Sequence, residues 1–212
     1  ADEIDKAKRY SKPLSRLNLA ERLAAGAVLV ALIWTQAVPE LLDGWGIDNW
    51  VLRLLVALAI VNVAELVVSL PFAAYRELDY DKRWGFSTQT VGGFVSDAVK
   101  GLLVGVVITT ALLLPLWALI RSTDLWWIWG WLVMGVFVVG LGLLYPLLIM
   151  PLFNKFTPLD DEVLRDDLLG VARKADADLT EIQVSDASRR TRKDNAFVAG
   201  LGKTRRLVLF DT

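Results

Sequence analysis

The sequence predicts a membrane all-α region of four transmembrane helices, followed by the start of a soluble α+β domain. Three observations predict it. The 212-residue chain is 55% hydrophobic, above the roughly 45–50% of soluble domains, and its mean hydropathy is +0.46. Four apolar runs reach the length of a bilayer-spanning helix, about 20 residues. After residue 153 the apolar runs give way to one amphipathic helix pattern and several short alternating segments.

Residues 1–19 are polar and charged and lack the apolar centre of a signal peptide. They are predicted as a cytoplasmic segment. The transmembrane region is predicted over 20–153, with spans at about 20–38, 54–72, 101–120 and 125–153. The second span carries Glu65, with Asn62 one turn before it. An ionisable group at that depth is costly and faces a partner or water rather than lipid. Two readings follow: a hydrogen bond between helices, or the polar lining of an internal cavity. The third and fourth spans are uncharged, and Pro115 and Pro146 predict kinks inside them.

Orientation follows from Lys and Arg in the connections. Lys6, Lys8, Arg9, Lys12, Arg16 and Arg22 precede or open the first span, while the loop 39–49 has acids and no base. Arg76, Lys82, Arg83 and Lys100 fill the next connection, and the turn 121–124 has only Arg121. The alternation predicts a multi-pass protein with both ends of this chain cytoplasmic and the lipid bilayer as partner. Trp45, Trp50, Trp126, Trp127, Trp129 and Trp131 crowd the predicted outer interface, where amphipathic rings settle.

Residues 154–212 predict the soluble part. Thr157 reads as a helix N-cap with Pro158 at the first helical position. Leu164, Leu168, Val171 and Ala175 form an apolar stripe at helical spacing. "EIQVSD", "NAFVA" and "RRLVLFD" read as strands, the last two joined through "GLGKT". One helix and three strands make little core. With the absent initiator Met, the end just after a strand predicts that the chain is the front part of a longer protein.

Composition excludes much chemistry within this chain. There is no His and no Cys, so neither a Ser-His-Asp triad nor an H-E-x-x-H zinc site can form from it. A net charge of −1 gives no basis for a nucleic-acid partner. Gly202, Lys203 and Thr204 end like a phosphate loop, but the first glycine of that pattern would fall on Phe197. A hairpin turn is the better reading. The run "SRRTRK" reads as a solvated loop or as a holder of anionic headgroups. If "NAFVA" lies at a sheet edge, its backbone can take an extended peptide as an added strand.

Three stretches carry a resemblance: "LPFAAYRELDYDKRWGFSTQT" (70–90), "PLFNKFTPLDDEVL" (151–164) and "SRRTRKDNAFVAGLGKTRRLVLFDT" (188–212). Together they resemble the type I CAAX prenyl protease family, integral-membrane zinc endopeptidases. The resemblance implies transmembrane helices around a water-filled chamber and a cytosolic gluzincin-type protease domain, of which this chain holds the start. It implies that Asn195 and Ala196 match the family's Asn-Ala pair on the active-site edge strand and bind the substrate backbone, with Phe197 following on the same strand. It implies a catalytic H-E-x-x-H helix and a third zinc ligand beyond the residues present, so no catalytic or metal-ligating residue is assigned in this chain.

Two departures stand out. Lys193 and Asp194 occupy positions where members often have His before the Asn-Ala pair, and Asp81 stands where Glu is usual. The implied function is cleavage of peptide bonds in membrane-associated or prenylated proteins by the intact zinc enzyme. This chain would supply chamber helices, with Glu65 and Asn62 as lining candidates, and the substrate strand. Its expected partners are a peptide or protein substrate and the C-terminal half of the protease. By itself it would bind no zinc and be inactive. The alternative is a catalytically inactive membrane module that binds peptides or partner proteins.

Overall fold

The computed structural model describes residues 2–174, 179–200 and 205–212. Two compact units divide the chain: residues up to Trp84 together with Thr90–Gly130, and Gly85–Gln89 together with Trp131–Thr212.

The first unit is helical. Helix α1 spans Asp2–Trp34 without a break at residue 20, so the charged N-terminal segment and the first apolar run are one rod. It stops where Gln36 takes a left-handed φ of 51°, and the short α2 (Ala37–Gly44) follows. The predicted span to residue 38 therefore ends earlier, at Trp34. Helix α3 (Trp50–Ala74) is capped by Asn49, whose Oδ1 accepts the N–H groups of Val51 and Leu52 at 3.0 and 3.1 Å. It continues through a π-helical turn, Tyr75–Tyr80, and Asp81–Arg83. Pro71 lies just ahead of that turn, and a residue without an N–H is one cause of such irregularity. Helix α4 (Val91–Ser122) starts under a Thr90 cap, ten residues before the predicted third span, and contains Pro115 without interruption.

Helix α5 begins at Trp126, runs to Leu144, and continues through a π-helical stretch, Tyr145–Ile149, to Met150–Phe153. Pro146 thus marks a change of helix type. Four helical segments are long and apolar enough to cross a membrane: Ile4–Trp34, Trp50–Arg83, Val91–Ser122 and Trp126–Phe153. Their apolar side chains are largely uncovered, Trp34 at 87% and Trp131 at 76% exposure. A water-soluble fold would bury such surface; a bilayer covers it.

In the second unit, four strands form a sheet in the order β1-β2-β4-β3. They are β1 (Phe156–Pro158), β2 (Glu181–Ser185), β3 (Ala196–Ala199) and β4 (Arg206–Phe210). β1 and β3 pair antiparallel with their neighbours, and β2 and β4 are parallel. Val208, in the middle of central β4, is fully buried. Strand β1 was not foreseen. Thr157 pairs with Val184 and Pro158 with Gln183, so Thr157 is not the helix cap. Helix α6 (Glu162–Lys174) is capped instead by Asp161, whose Oδ1 accepts the Leu164 N–H at 2.9 Å. Its apolar stripe is only partly covered: Ala172 is buried and Leu168 half-buried, while Leu164 and Val171 stay exposed. Four short strands offer too little area to cover the whole face. Ala175 and the "GLGKT" turn residues Gly202, Lys203 and Thr204 lie outside the described residues.

Candidate functional site: an open sheet edge and its arginine anchor

Strand β3 sits at the end of the sheet order, paired only with β4 among the described residues. Its register determines which backbone groups stay open. The Phe210 N–H donates to the Asn195 carbonyl at 3.0 Å, and Phe197 lies opposite Val208. Antiparallel pairs alternate between bonded and non-bonded. Residues 195, 197 and 199 therefore bond inward to β4. Ala196 and Val198 turn their N–H and C=O groups to the open side. Their side chains are exposed, whereas Phe197 is half-buried, edge-on to Phe210 with centroids 6.2 Å apart. Asn195 precedes the strand and is exposed. Its Oδ1 accepts the Ala196 N–H at 3.0 Å, covering the first open donor of the edge.

The three family-like stretches meet behind this edge. Residues 86–88 and 188–192 are stitched together: Thr88 N–H to the Arg190 carbonyl at 3.0 Å, Arg192 N–H to the Phe86 carbonyl at 2.9 Å, and the Thr88 hydroxyl to the Ser188 carbonyl at 2.7 Å. The third stretch joins through arginine. The Arg189 guanidinium donates to the Phe153 carbonyl at 2.7 Å, and Arg190 donates to the same carbonyl and to Asn154 Oδ1, the latter at 2.8 Å. Phe153 ends α5. A helix C-terminus leaves carbonyls unpaired and carries partial negative charge, so two cations there are doubly favoured.

Arg206 of β4 plays a matching part. In the π-helical stretch the Met150 N–H bonds to the Tyr145 carbonyl, five residues back. The corresponding donor for the Pro146 carbonyl would be the N–H of residue 151, which is proline. Arg206 Nη2 fills the gap at 3.0 Å while Nη1 reaches Gln183 Oε1 at 3.1 Å. Asp211 closes the far side. Its carboxylate accepts the Ser188 N–H at 2.6 Å and the Ser188 hydroxyl at 2.7 Å. Burial raises its pKa, but the Ser188 bonds and backbone donors at Asp211 and Ala187 outweigh it, and the net shift is downward. These anchoring residues had no role in the sequence reading. The run "SRRTRK" read as a solvated loop or a holder of anionic headgroups, and neither reading assigned its first two arginines to the C-terminus of α5. The signal was the pairing of Pro146 with Pro151, which becomes informative only once the π-helical stretch is known.

The lining candidates belong to the first unit and behave differently from each other. Asn62 Nδ2 donates to the Leu58 carbonyl at 2.8 Å and to Thr109 Oγ1 of α4 at 3.2 Å. It joins two helices. Glu65 instead lines an open cavity of about 430 Å³ with Asn18, Glu21, Arg22, Ser69 and Arg76. Arg76 Nη1 reaches Glu21 at 3.4 Å and Asn18 at 3.1 Å. Among the described residues, no group of three or more His, Cys, Asp or Glu side chains is placed to hold a metal ion. Asp81, one of the two departures, accepts the Tyr10 hydroxyl at 2.7 Å, and Lys193, at the other, lies over the Phe86 ring at 5.0 Å.

Residues 1–155 match the family model described as the CAAX prenyl protease N-terminal region with five membrane helices. The chain belongs to the CAAX prenyl protease family. The human CAAX prenyl protease 1 homolog is 33% identical over 174 residues, which is 80% of this chain and 36% of the human protein. CAAX prenyl protease 1 of Saccharomyces cerevisiae is 30% identical over 233 residues, 100% of this chain and 51% of the yeast protein. The crystal structure of S. mikatae Ste24p matches with a TM-score of 0.79 and 26% identity, over 97% of this chain and 50% of that one. The chain therefore spans about half the length of the yeast relatives. This family member is a multi-pass integral membrane protein with a Ste24p-like fold.

Proposed function

We propose that this chain is the chamber-forming and substrate-strand part of an intact zinc-dependent endopeptidase that cleaves membrane-associated or prenylated proteins. The observation that carries the reading is the open edge of β3. At and just after the pair that matches the family's Asn-Ala, Ala196 and Val198 turn their backbone groups away from β4, and among the described residues only the Ala196 N–H is covered, by Asn195 Oδ1. An extended peptide added there would exchange main-chain hydrogen bonds with both residues, and the Asn195 amide, able to donate and accept, would swing from the Ala196 N–H to the peptide. Holding the peptide straight is a positioning contribution to catalysis. The human and yeast relatives are named CAAX prenyl proteases, which points to prenylated CAAX proteins as substrates.

The residues described here do not fit a zinc site, since the chain has no His or Cys and no carboxylate cluster is assembled among the described residues. The metal and the base belong, on this reading, to residues other than these. The basic first half of α1 and the connection after α3 would face the cytosol.

The test is metal content and peptide cleavage by the intact protein in bilayer mimics. Bound zinc, together with cleavage abolished by a chelator and restored by zinc, is the expected result. A protein that binds peptide but neither zinc nor cleaves would support the inactive membrane module instead, a reading favoured only by the absence of His and Cys.

A further inference from the structure

The first four turns of α1 carry a basic stripe. At about 100° per residue, Lys8, Arg9, Lys12 and Arg16 fall within a stripe roughly 100° wide. The opposite face is occupied: Tyr10 bonds to Asp81 at 2.7 Å and packs on Tyr80 and Trp84, and Glu21 pairs with Arg76 at 3.4 Å. The stripe thus points away from the packed side of its own unit. All four basic side chains are exposed, and among the described residues none is in an ion pair. They line an open groove of about 840 Å³ with Asp5 and Pro13. Asp5 is the one acid there, at the end away from the apolar run, which leaves four positive charges against one negative.

We propose that this stripe binds the headgroups of anionic phospholipids. Continuity with a membrane span selects lipid as the occupant. Because α1 is unbroken to Trp34, Arg16 and Lys12 lie about 10 and 16 Å along the rod from Leu23, where the uninterrupted apolar run begins. Their long side chains reach the headgroup layer from there. Clusters of about four to eight bases beside a span attract anionic lipid, each base contributing about 1 kcal/mol, or about fivefold. Long Lys and Arg stems also let the charges reach the phosphates while their methylenes stay in apolar surroundings.

The test uses the full chain in neutral detergent, offered equal phosphatidylglycerol and phosphatidylcholine, with bound lipid counted by native mass spectrometry. The expected result is a preference for phosphatidylglycerol that falls at least about tenfold in K8Q/K12Q/R16Q and survives in K8R/K12R. If the triple variant loses its helical signal, K12Q alone should lower the preference about fivefold, while K6Q, off the stripe, should leave it nearly intact. An unchanged preference in helical K12Q and triple variants would overturn the proposal. So would displacement of the lipid by inorganic phosphate, because the groove would then read a free anion.

Discussion

Single side chains decide two features of this chain. Asn62 fastens α3 to Thr109 of α4, and it can do so because Gly105 has no side chain: a Cβ there would meet Asn62 Oδ1 at 3.1 Å. Gly105→Leu should therefore cost about 1–3 kcal/mol by overpacking. Gly101→Ala, where a Cβ meets nothing within 4 Å, should be neutral or slightly stabilising. Thermal unfolding in detergent measures both. Asp211 gives a pH dependence. Its folded pKa lies below the ordinary aspartate value of about 3.9. The ionised form thus contributes stability that is complete above about pH 4 and is lost as pH falls through the folded value. Asp211→Asn should lower the midpoint of the C-terminal unit at neutral pH and flatten its acid limb, read by thermal unfolding across that range. The polar residues in the spans were visible in the sequence, since Glu65 and Asn62 interrupt an apolar run. Their separate tasks were not, because helical spacing puts both on α3 without saying that Thr109 faces only one of them.

At the scale of elements, the helices were legible in outline and their ends were not. Apolar length announces a span, but α1 and α4 extend beyond their apolar runs: Ala, Leu, Lys and Arg continue α1 outside lipid as readily as inside, whereas α4 reaches back to its Thr90 cap through weaker helix formers, Gly92, Gly93, Ser96 and Asp97. Strands β2, β3 and β4 followed from alternation. β1 did not, because three residues with a terminal proline carry too little pattern, and its presence moved the helix start from Thr157 to Asp161. The arginine anchor was hidden for a physical reason: it satisfies carbonyls freed by local helix geometry. Replacing Arg206 with Met should leave the Pro146 carbonyl unsatisfied, at about 1–3 kcal/mol. Arg190→Gln should cost about 1.5–3 kcal/mol through its lost charged bonds to Phe153 and Asn154. Amide exchange in β4 should speed up in both variants. An unaltered exchange pattern would mean that the guanidinium contacts hold nothing in place. Val198→Pro offers a sharper separation, since its N–H serves no bond to β4. The sheet should persist, while the proposed peptide turnover of the intact protein should fall mainly through KM.

For the molecule as a whole, membership of the CAAX prenyl protease family, four membrane-length helices and a small terminal sheet agree with one another. The central claim is that the open edge of β3 receives the substrate as an added strand. Residue-resolved amide exchange on the intact enzyme, with and without a bound non-cleaved peptide, tests it most directly. The account predicts that the Ala196 and Val198 amides gain protection on binding, while Phe197, already bonded to Val208, changes little. Protection that rises equally along the strand, or not at all at Ala196 and Val198, would contradict it.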